Sequence, residues 1–324
     1  MVLSPVPTPG AVINRDAVSA PSAGLEPHGL DTLLQMSDAE FSRISGHIHR
    51  ETGIVISPSK RSMLVSRLSR RLRHLGLRDF AAYADLIGRA EGDAERMELV
   101  SAITTNVTSF FREPHHFKAL ADLMPDLAAR LQAGGRVRLW SAGCSTGQEP
   151  YSLAATILEH MPDAAGRDLR ILATDIDPKV ITEARRGQYS QRAIGDNPSP
   201  LLTRVLRKSD TPGEYVVADT LRALIRFEVL NLLEPWPFQG EFDVIFCRNV
   251  VIYFDRDTRI RLWSRFADRI PAGGMLFLGH SERMDTQIDA LFTSAGLTQY
   301  KRTALPVSAS ADRAVHNPPT PKDR

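Results

Sequence analysis

The sequence predicts an α/β fold: a largely parallel sheet covered by helices on both faces, preceded by an all-α domain and interrupted by a small β subdomain. Three observations predict it. From about residue 115 to 302, apolar runs of strand length alternate with segments of helical period, and such alternation builds parallel sheets. Residues 37–103 show helical period alone. Residues 188–223 break the alternation and are too long for a plain connection.

Residues 1–36 are rich in Pro, Ala, Ser and Gly, residues 303–324 are similar, and both are expected to be disordered tails. Ser37-Asp-Ala-Glu40 fits a capping box ahead of an apolar face of Phe41, Ile44 and Ile48. After punctuation at Thr52-Gly53 and Ser57-Pro58, a second helix is expected over 59–74, with Met63, Leu64, Leu68, Leu72 and Leu75 inward. A third opens at Asp79-Phe80 and a fourth covers 93–103. Residues 104–302 then form the α/β domain. Its strands are expected at 136–140, 170–174, 225–230, 242–247, 274–279 and 298–301. Its helices are expected at 114–132, 150–161, 178–186, 256–270 and 285–295, several starting on a proline. Inside 188–223, Pro212-Gly213 followed by Glu214-Tyr-Val-Val217 reads as a turn and a short strand.

The chain's 324 residues suffice for two domains, and 43% hydrophobic with 24% charged residues is ordinary for a globular protein. A net charge of +2 is too small to argue a nucleic-acid partner. Two cysteines, Cys144 and Cys247, form no CxxC pair, which argues against a disulfide framework or a cysteine zinc site and for a reducing cytoplasm. No apolar run approaches the roughly 20 residues of a membrane span, and no secretory signal is expected. His47 with His49, and His115 with His116, show no third ligand, so no metal is expected.

The chemistry concentrates where strands end, because nucleotide-like cofactors lie across the carboxyl ends of open α/β sheets. The first strand runs into Gly143 and Gly147 before a helix at Pro150, an arrangement that lets backbone approach a cofactor. A phosphate-cradling loop would place a lysine there, whereas Glu149 would repel a triphosphate and suits a cation. The loop therefore points to S-adenosylmethionine, which carries a sulfonium and an ammonium. Simple capping of a helix is the competing reading of Glu149. Asp175, after the second strand, is placed to accept ribose hydroxyls, while Asp177 before Pro178 reads as a helix cap. Asn231 follows the third strand, and Arg248 and Asn249 the fourth.

Four motifs in order then resemble the bacterial chemotaxis receptor methyltransferase family, CheR type: Thr105-Asn-Val-Thr-Ser-Phe-Phe-Arg-Glu113, Ala142-Gly-Cys-Ser-Thr-Gly-Gln-Glu-Pro-Tyr151, Ala173-Thr-Asp-Ile-Asp177 and Phe246-Cys-Arg-Asn-Val-Val-Ile-Tyr-Phe254. Gly279-His-Ser-Glu282 also matches, and the likeness covers about residues 37–302. It implies a Rossmann-like, S-adenosylmethionine-dependent methyltransferase sheet. It implies methyl transfer to glutamates on the cytoplasmic helical domain of receptors, leaving S-adenosylhomocysteine. By the likeness, Asn106, Thr108, Arg112 and Glu149 line the methionine end of the cofactor, with Gly143 giving it backbone clearance. Asp175 binds the ribose, and Asn231, Leu232, Cys247, Arg248 and Asn249 complete the pocket. Arg112 and Tyr253 face the reacting centre. On residues alone, Arg112 as a surface ion pair and Tyr253 as a satisfied core tyrosine stay open.

The helix at 59–74 carries Lys60, Arg61, Arg67, Arg70, Arg71 and Arg73 outside its apolar face, with no acid among them. A solvated face is the plain reading. The functional one is recognition of an acidic receptor helix. Nucleic acid is not expected, since no aromatic stacking platform accompanies the arginines. In certain family members the β insertion also docks on a peptide at the receptor C-terminus; Lys208-Ser-Asp-Thr-Pro-Gly213 matches the family's glycine-rich loop poorly, which leaves that docking open here. The chain is expected to act as a monomer without membrane insertion. A cofactor-binding module without catalysis, a nucleic-acid methyltransferase and, lacking G-x-G-x-x-G, a nicotinamide oxidoreductase are the competing functions.

Overall fold

Four parallel strands of the main sheet end in a residue of the candidate site or immediately before one, and the strand register explains why. A computed structural model describes residues 35–195 and 198–304. The expected disordered tails fall outside the described residues, apart from 35–36 and 303–304.

Four helices come first. Helix α1 (Asp38–Thr52) begins at Ser37, whose hydroxyl accepts the Glu40 N–H while the Glu40 carboxylate accepts the Ser37 N–H at 2.7 Å. This is the expected capping box. It ends at Gly53 in the left-handed region, φ +71. Phe41, Ile44 and Ile48 are buried as the periodicity requires. Helix α2 (Arg61–Leu75) buries Leu64, Leu68 and Leu72. Helices α3 (Phe80–Gly88), capped by Asp79, and α4 (Asp93–Ile103) complete the bundle.

The α/β region follows as α5 (Pro114–Gln132), β1 (Val137–Ala142), α6 (Gln148–His160), β2 (Leu169–Asp175) and α7 (Pro178–Arg186). The insertion contributes β3 (Gln188–Ser190), α8 (Gln191–Ile194), α9 (Pro200–Val205), β4 (Leu206–Lys208), β5 (Glu214–Val217) and α10 (Asp219–Arg222). Its strands form a separate antiparallel sheet in the order β3-β5-β4. The main sheet resumes with β6 (Ile225–Val229), β7 (Val244–Cys247), α11 (Arg256–Ala267), β8 (Met275–Leu278), β9 (Phe292–Gly296) and β10 (Gln299–Arg302).

The main-sheet order is β6-β2-β1-β7-β8-β10-β9, parallel from β6 to β8. From β1 the chain builds outward through β2 to β6, then crosses to β7 on the other side of β1. That reversal is the topological switch where open α/β sheets bind ligands. Ala142 pairs Thr174, Asp175 pairs Val229 and Ser141 pairs Phe246, so the carboxyl ends stand nearly level.

One expected element differs. Residues 285–295 are not a helix: a single 3-10 turn at Thr286–Ile288 is followed by β9, antiparallel to β10. Ile288 and Phe292 have helical spacing and are buried, but Thr293, Ser294 and Gly296 are weak helix formers. Pairing also satisfies the exposed edge of β10, and Thr298 closes the hairpin at φ +55.

Candidate active site and cofactor pocket

A cleft of about 1170 Å³, counting its open mouth, lies over the strand ends. The loop after β1 forms its floor. The N–H groups of Gly143 and Cys144 both donate to the Thr174 carbonyl, at 2.8 and 2.9 Å, which binds the loop to β2. Ser145 turns into the left-handed region (φ +50) and donates its N–H to Asp175 Oδ2 at 2.8 Å. The Asp177 N–H donates to Oδ1 at 3.1 Å. Burial pushes the Asp175 carboxyl up from its ordinary value, while those N–H groups pull it down. The Leu230 N–H donates to the Asp175 carbonyl at 2.9 Å, placing Leu230 and Leu232 beside the acid. An acceptor flanked by Ile176, Leu230 and Leu232 suits the ribose and adenine of a nucleoside.

A buried ion network supports the other side. Glu149 is 8% exposed; it accepts the Ser141 hydroxyl at 2.7 Å and Arg248 at 2.9 Å. Arg248 also faces Glu113 at 3.3 Å and donates to the Arg112 carbonyl. Glu113 in turn accepts the N–H and Nδ1 of His280, both at 3.1 Å. His116, fully buried, donates to or accepts from Thr298 at 2.9 Å and lies 3.4 Å from Glu113. Burial and the Arg248 charge hold His116 down to about 4, so it is neutral near pH 7.

Among the described residues, the non-glycine residues at positive φ are Phe111, Glu113, Ser145, Asn249 and Thr298. Ser145 and Asn249 line the cleft, and Phe111 and Glu113 flank its Arg112. Such strain persists where surrounding bonds over-determine it, as at functional sites. Asn249 shows how. Glu282, buried and 3% exposed, accepts four backbone N–H groups, those of Gly279, Asn249, Val251 and Ile252, at 2.7 to 3.3 Å. This pins the loop that presents Tyr253.

The helical region supplies the remaining wall. Thr52, Ile54, Ile56, Lys60 and Met63 line the cleft. Ile54 bridges Phe254, and the Val55 N–H donates to the Tyr253 carbonyl at 2.8 Å. Asn231 donates to the Glu51 carbonyl at 2.7 Å. Asp177 caps α7 and also accepts Ser101 at 2.6 Å and Asn106 at 3.1 Å, so it clasps the 101–106 segment over the site.

Residues 39–104 match the family description "CheR methyltransferase, all-alpha domain", and residues 106–301 match "CheR methyltransferase, SAM binding domain". The chain belongs to the CheR methyltransferase family. It is 46% identical over 259 residues to a probable chemotaxis protein methyltransferase of Rhizobium etli, covering 79% of this chain and 97% of that one. It is 41% identical over 270 residues to the chemotaxis protein methyltransferase of Escherichia coli K12, covering 82% and 92%. Chemotaxis protein methyltransferase 2 of Pseudomonas aeruginosa is 42% identical over 264 residues, covering 81% and 92%. As a CheR methyltransferase, the chain is an enzyme that uses S-adenosylmethionine. No helix among the described residues is long and apolar enough to cross a membrane.

Of the CheR-type residues singled out in the sequence, Asn106, Thr108, Arg112, Gly143, Glu149, Asp175, Asn231, Leu232, Arg248, Asn249 and Tyr253 all line the cleft. Cys247 does not: it is a fully buried residue of β7 whose side chain belongs to the core. Glu149 reaches the cleft while one of its carboxylate oxygens is paired with Arg248 at 2.9 Å. The glycines serve protein packing first. A Cβ at Gly143 would stand 2.2 Å from Val250 Cγ2, and one at Gly147 2.9 Å from both Ala184 and Tyr189.

The basic helix is also divided. Arg71 lies between Glu95, at 3.1 Å, and Glu98, at 3.1 Å, with its side chain 19% exposed. Arg67 donates to the carbonyls of Ala102, Ile103 and Thr104 at the end of α4. Both face inward, whereas Arg70 and Arg73 are exposed. Sequence reasoning placed Lys60 only on the basic helix and missed Thr52 and the Ile54–Ile56 wall as cleft residues, although the β-branched run Ile54-Val-Ile56 after Gly53 signals an extended segment. It gave Glu113 and Glu282 no role. Glu113 also joins His115 and His116 as the absent third metal-ligand type, but Arg248 beside the same carboxylate opposes a cation there.

Proposed function

We propose that this enzyme methylates glutamate side chains on the cytoplasmic helical domain of chemotaxis receptors, giving glutamyl methyl esters. The supporting observation is a cleft with a buried ribose acceptor, Asp175, at its floor and Lys60, Arg112 and Tyr253 toward the substrate side. Exposed Val55, Val107 and Ile252, 45%, 77% and 44% exposed, stand around that side and suit an amphipathic helix. S-adenosylmethionine, when bound, supplies a methyl whose bond to sulfur breaks as a carboxylate oxygen bonds to carbon, the electron pair staying on sulfur and no proton moving.

The protein's part is positioning. A glutamate carboxylate is already ionised near pH 7, its free pKa being about 4.3, so no general base is required. The cleft strips water from the attacking oxygen and aims it. Arg112 and the Tyr253 hydroxyl orient the carboxylate, and Asn106, Thr108 and Glu149 hold the cofactor's methionine end. Arg248 acts through Arg112, Glu113 and Glu149 rather than on substrate, since its three partners are protein groups. Exposed Arg70 and Arg73 steer the acidic receptor helix. β4, at the edge of the inserted sheet, suits an added peptide strand and supports a second contact with the receptor C-terminus. The cofactor-only and nucleic-acid readings are not favoured by the family match.

The decisive experiment is labelled methyl transfer to receptor cytoplasmic fragments. Base-labile label is expected on receptor glutamates, and calorimetry should show S-adenosylhomocysteine binding abolished by Asp175→Ala. Failure with every receptor of the host would overturn the substrate reading. Equally tight binding by Asp175→Ala would overturn the ribose assignment.

A further inference from the structure

We propose that Asp177 is a positioning residue that fastens the 101–106 segment to the ribose-binding loop, and so sets how fast cofactor and product leave the cleft. The inference rests on the cofactor assignments of Asp175 and Asn106 above, not on the choice of substrate. A helix cap needs one side-chain oxygen. Asp177 Oδ1 supplies it, accepting the Lys179 N–H at 2.9 Å. The carboxylate does more than that. Oδ1 also accepts the hydroxyl of Ser101, in the last turn of α4, at 2.6 Å. Oδ2 serves no cap: it accepts the Asn106 amide at 3.1 Å and the Thr104 hydroxyl at 3.4 Å. Asp177 is 2% exposed, so water does not compete for these bonds.

The bonds close on the ribose acceptor from two sides. Asp175 Oδ1 accepts the Asp177 N–H, and Asp177 holds the Asn106 side chain. Asp175 Oδ2 accepts the Ser145 N–H, and the Ser145 hydroxyl donates to the Asn106 carbonyl at 3.0 Å. Both ends of Asn106 are thereby fixed relative to Asp175, and with them the methionine and ribose ends of the pocket. Packing cannot do this. Val107 is the one apolar side chain of residues 104–109, and it is 77% exposed. A segment with so little apolar burial opens readily unless its hydrogen bonds hold it.

The test uses full-length enzyme and S-adenosylhomocysteine, with rates from stopped flow. Asp177→Ser keeps a capping hydroxyl of about equal strength and removes Oδ2. Affinity is expected to fall about 10-fold, with the change in the dissociation rate, as a bond to a carboxylate is lost. Because Asp177 acts through Asn106, adding Asp177→Ser to Asn106→Ala should cost less than about twofold further. Leu131→Ala is the stability control: Leu131 is buried near the end of α5 that leads into the start of β1, opposite the cleft. It should destabilise the fold and keep the wild-type dissociation rate. Wild-type dissociation in Asp177→Ser would overturn the inference, as would fully additive losses in the double variant. The same acceleration in Leu131→Ala would reduce the effect to general loosening and overturn it too. Wild-type affinity in Asn106→Ala would instead defeat the parent cofactor assignment, and the positioning role with it.

Discussion

His116 should make this enzyme lose stability on mild acidification. The imidazole is fully buried against Phe246 and Phe277, and its folded value is lowered from 6.5 to about 4 by burial, then by Arg248. Between those values the unfolded chain binds a proton that the native state refuses. Stability therefore rises with pH through this window, is complete above about 6.5, and is progressively lost below it. At 1.36 kcal/mol per pKa unit the full span is worth about 3 kcal/mol, and the fall from pH 7.5 to 5 about 2 kcal/mol. Glu113, the neighbouring carboxylate, is lowered from 4.5, so its stabilisation is lost at lower pH than this comparison reaches. The assay is urea denaturation of wild type and His116→Gln at both pH values. The variant is less stable at pH 7.5, having lost the Thr298 bond, but its stability should change about 2 kcal/mol less between the two. Identical pH dependence in the two proteins would show that His116 titrates in the fold as it does in the unfolded chain, and the reasoning from burial would fail.

The arginines of α2 should separate by role. Arg71→Ala leaves Glu95, 7% exposed at its side chain, without its ion partner and should cost about 3 kcal/mol in denaturant unfolding; Arg70→Glu should change stability by less than about 0.5 kcal/mol yet weaken receptor methylation. If Arg71→Ala melts like wild type, the inward pairing is not what holds α2 to α4. Gly143→Ala should lose 2 kcal/mol or so through the Val250 contact and its φ of +89. Adding Val250→Ala should recover the steric part and leave a backbone cost of about 1 kcal/mol, and full recovery would disprove the left-handed requirement. Glu282→Gln turns an amide NH2 toward two of the four N–H donors it now satisfies. It should lower the melting temperature and weaken cofactor binding together, and an unchanged affinity would uncouple the Asn249–Ile252 loop from the cofactor site.

The strand ends were legible because they obey local rules. Gly143 must turn, Asp175 terminates an apolar strand, and Ser37 with Glu40 form a cap whose partners are three residues apart. These signals need no knowledge of distant chain. The misreadings have the opposite character. Arg71 looks solvated until α4 brings Glu95 and Glu98 across 24 and 27 positions. Nothing near Glu149 in sequence announces its partner Arg248, which β7 delivers from 99 positions away. Cys247 lies beside Arg248 in sequence, but strand alternation sends its side chain into the core. Residues 292–296 satisfy helical spacing and lose to an unpaired edge that exists only once β8 and β10 have met.

The same distinction explains why the all-α region matters to chemistry as well as to recognition. Read as a separate domain, it can only deliver substrate to a site completed elsewhere. In the fold, Gly53 ends α1 in a left-handed turn, and the chain then runs as an extended strip whose Ile54 bridges Phe254 and whose Val55 N–H reaches Tyr253. A Cβ at Gly53 would meet Leu233 at 2.3 Å, so this turn is packed against the loop after β6. Two backbone contacts and the Asn231–Glu51 bond therefore tie the wall of the cleft to the all-α region. On the proposed function, this connection would couple receptor binding to the position of the Tyr253 loop.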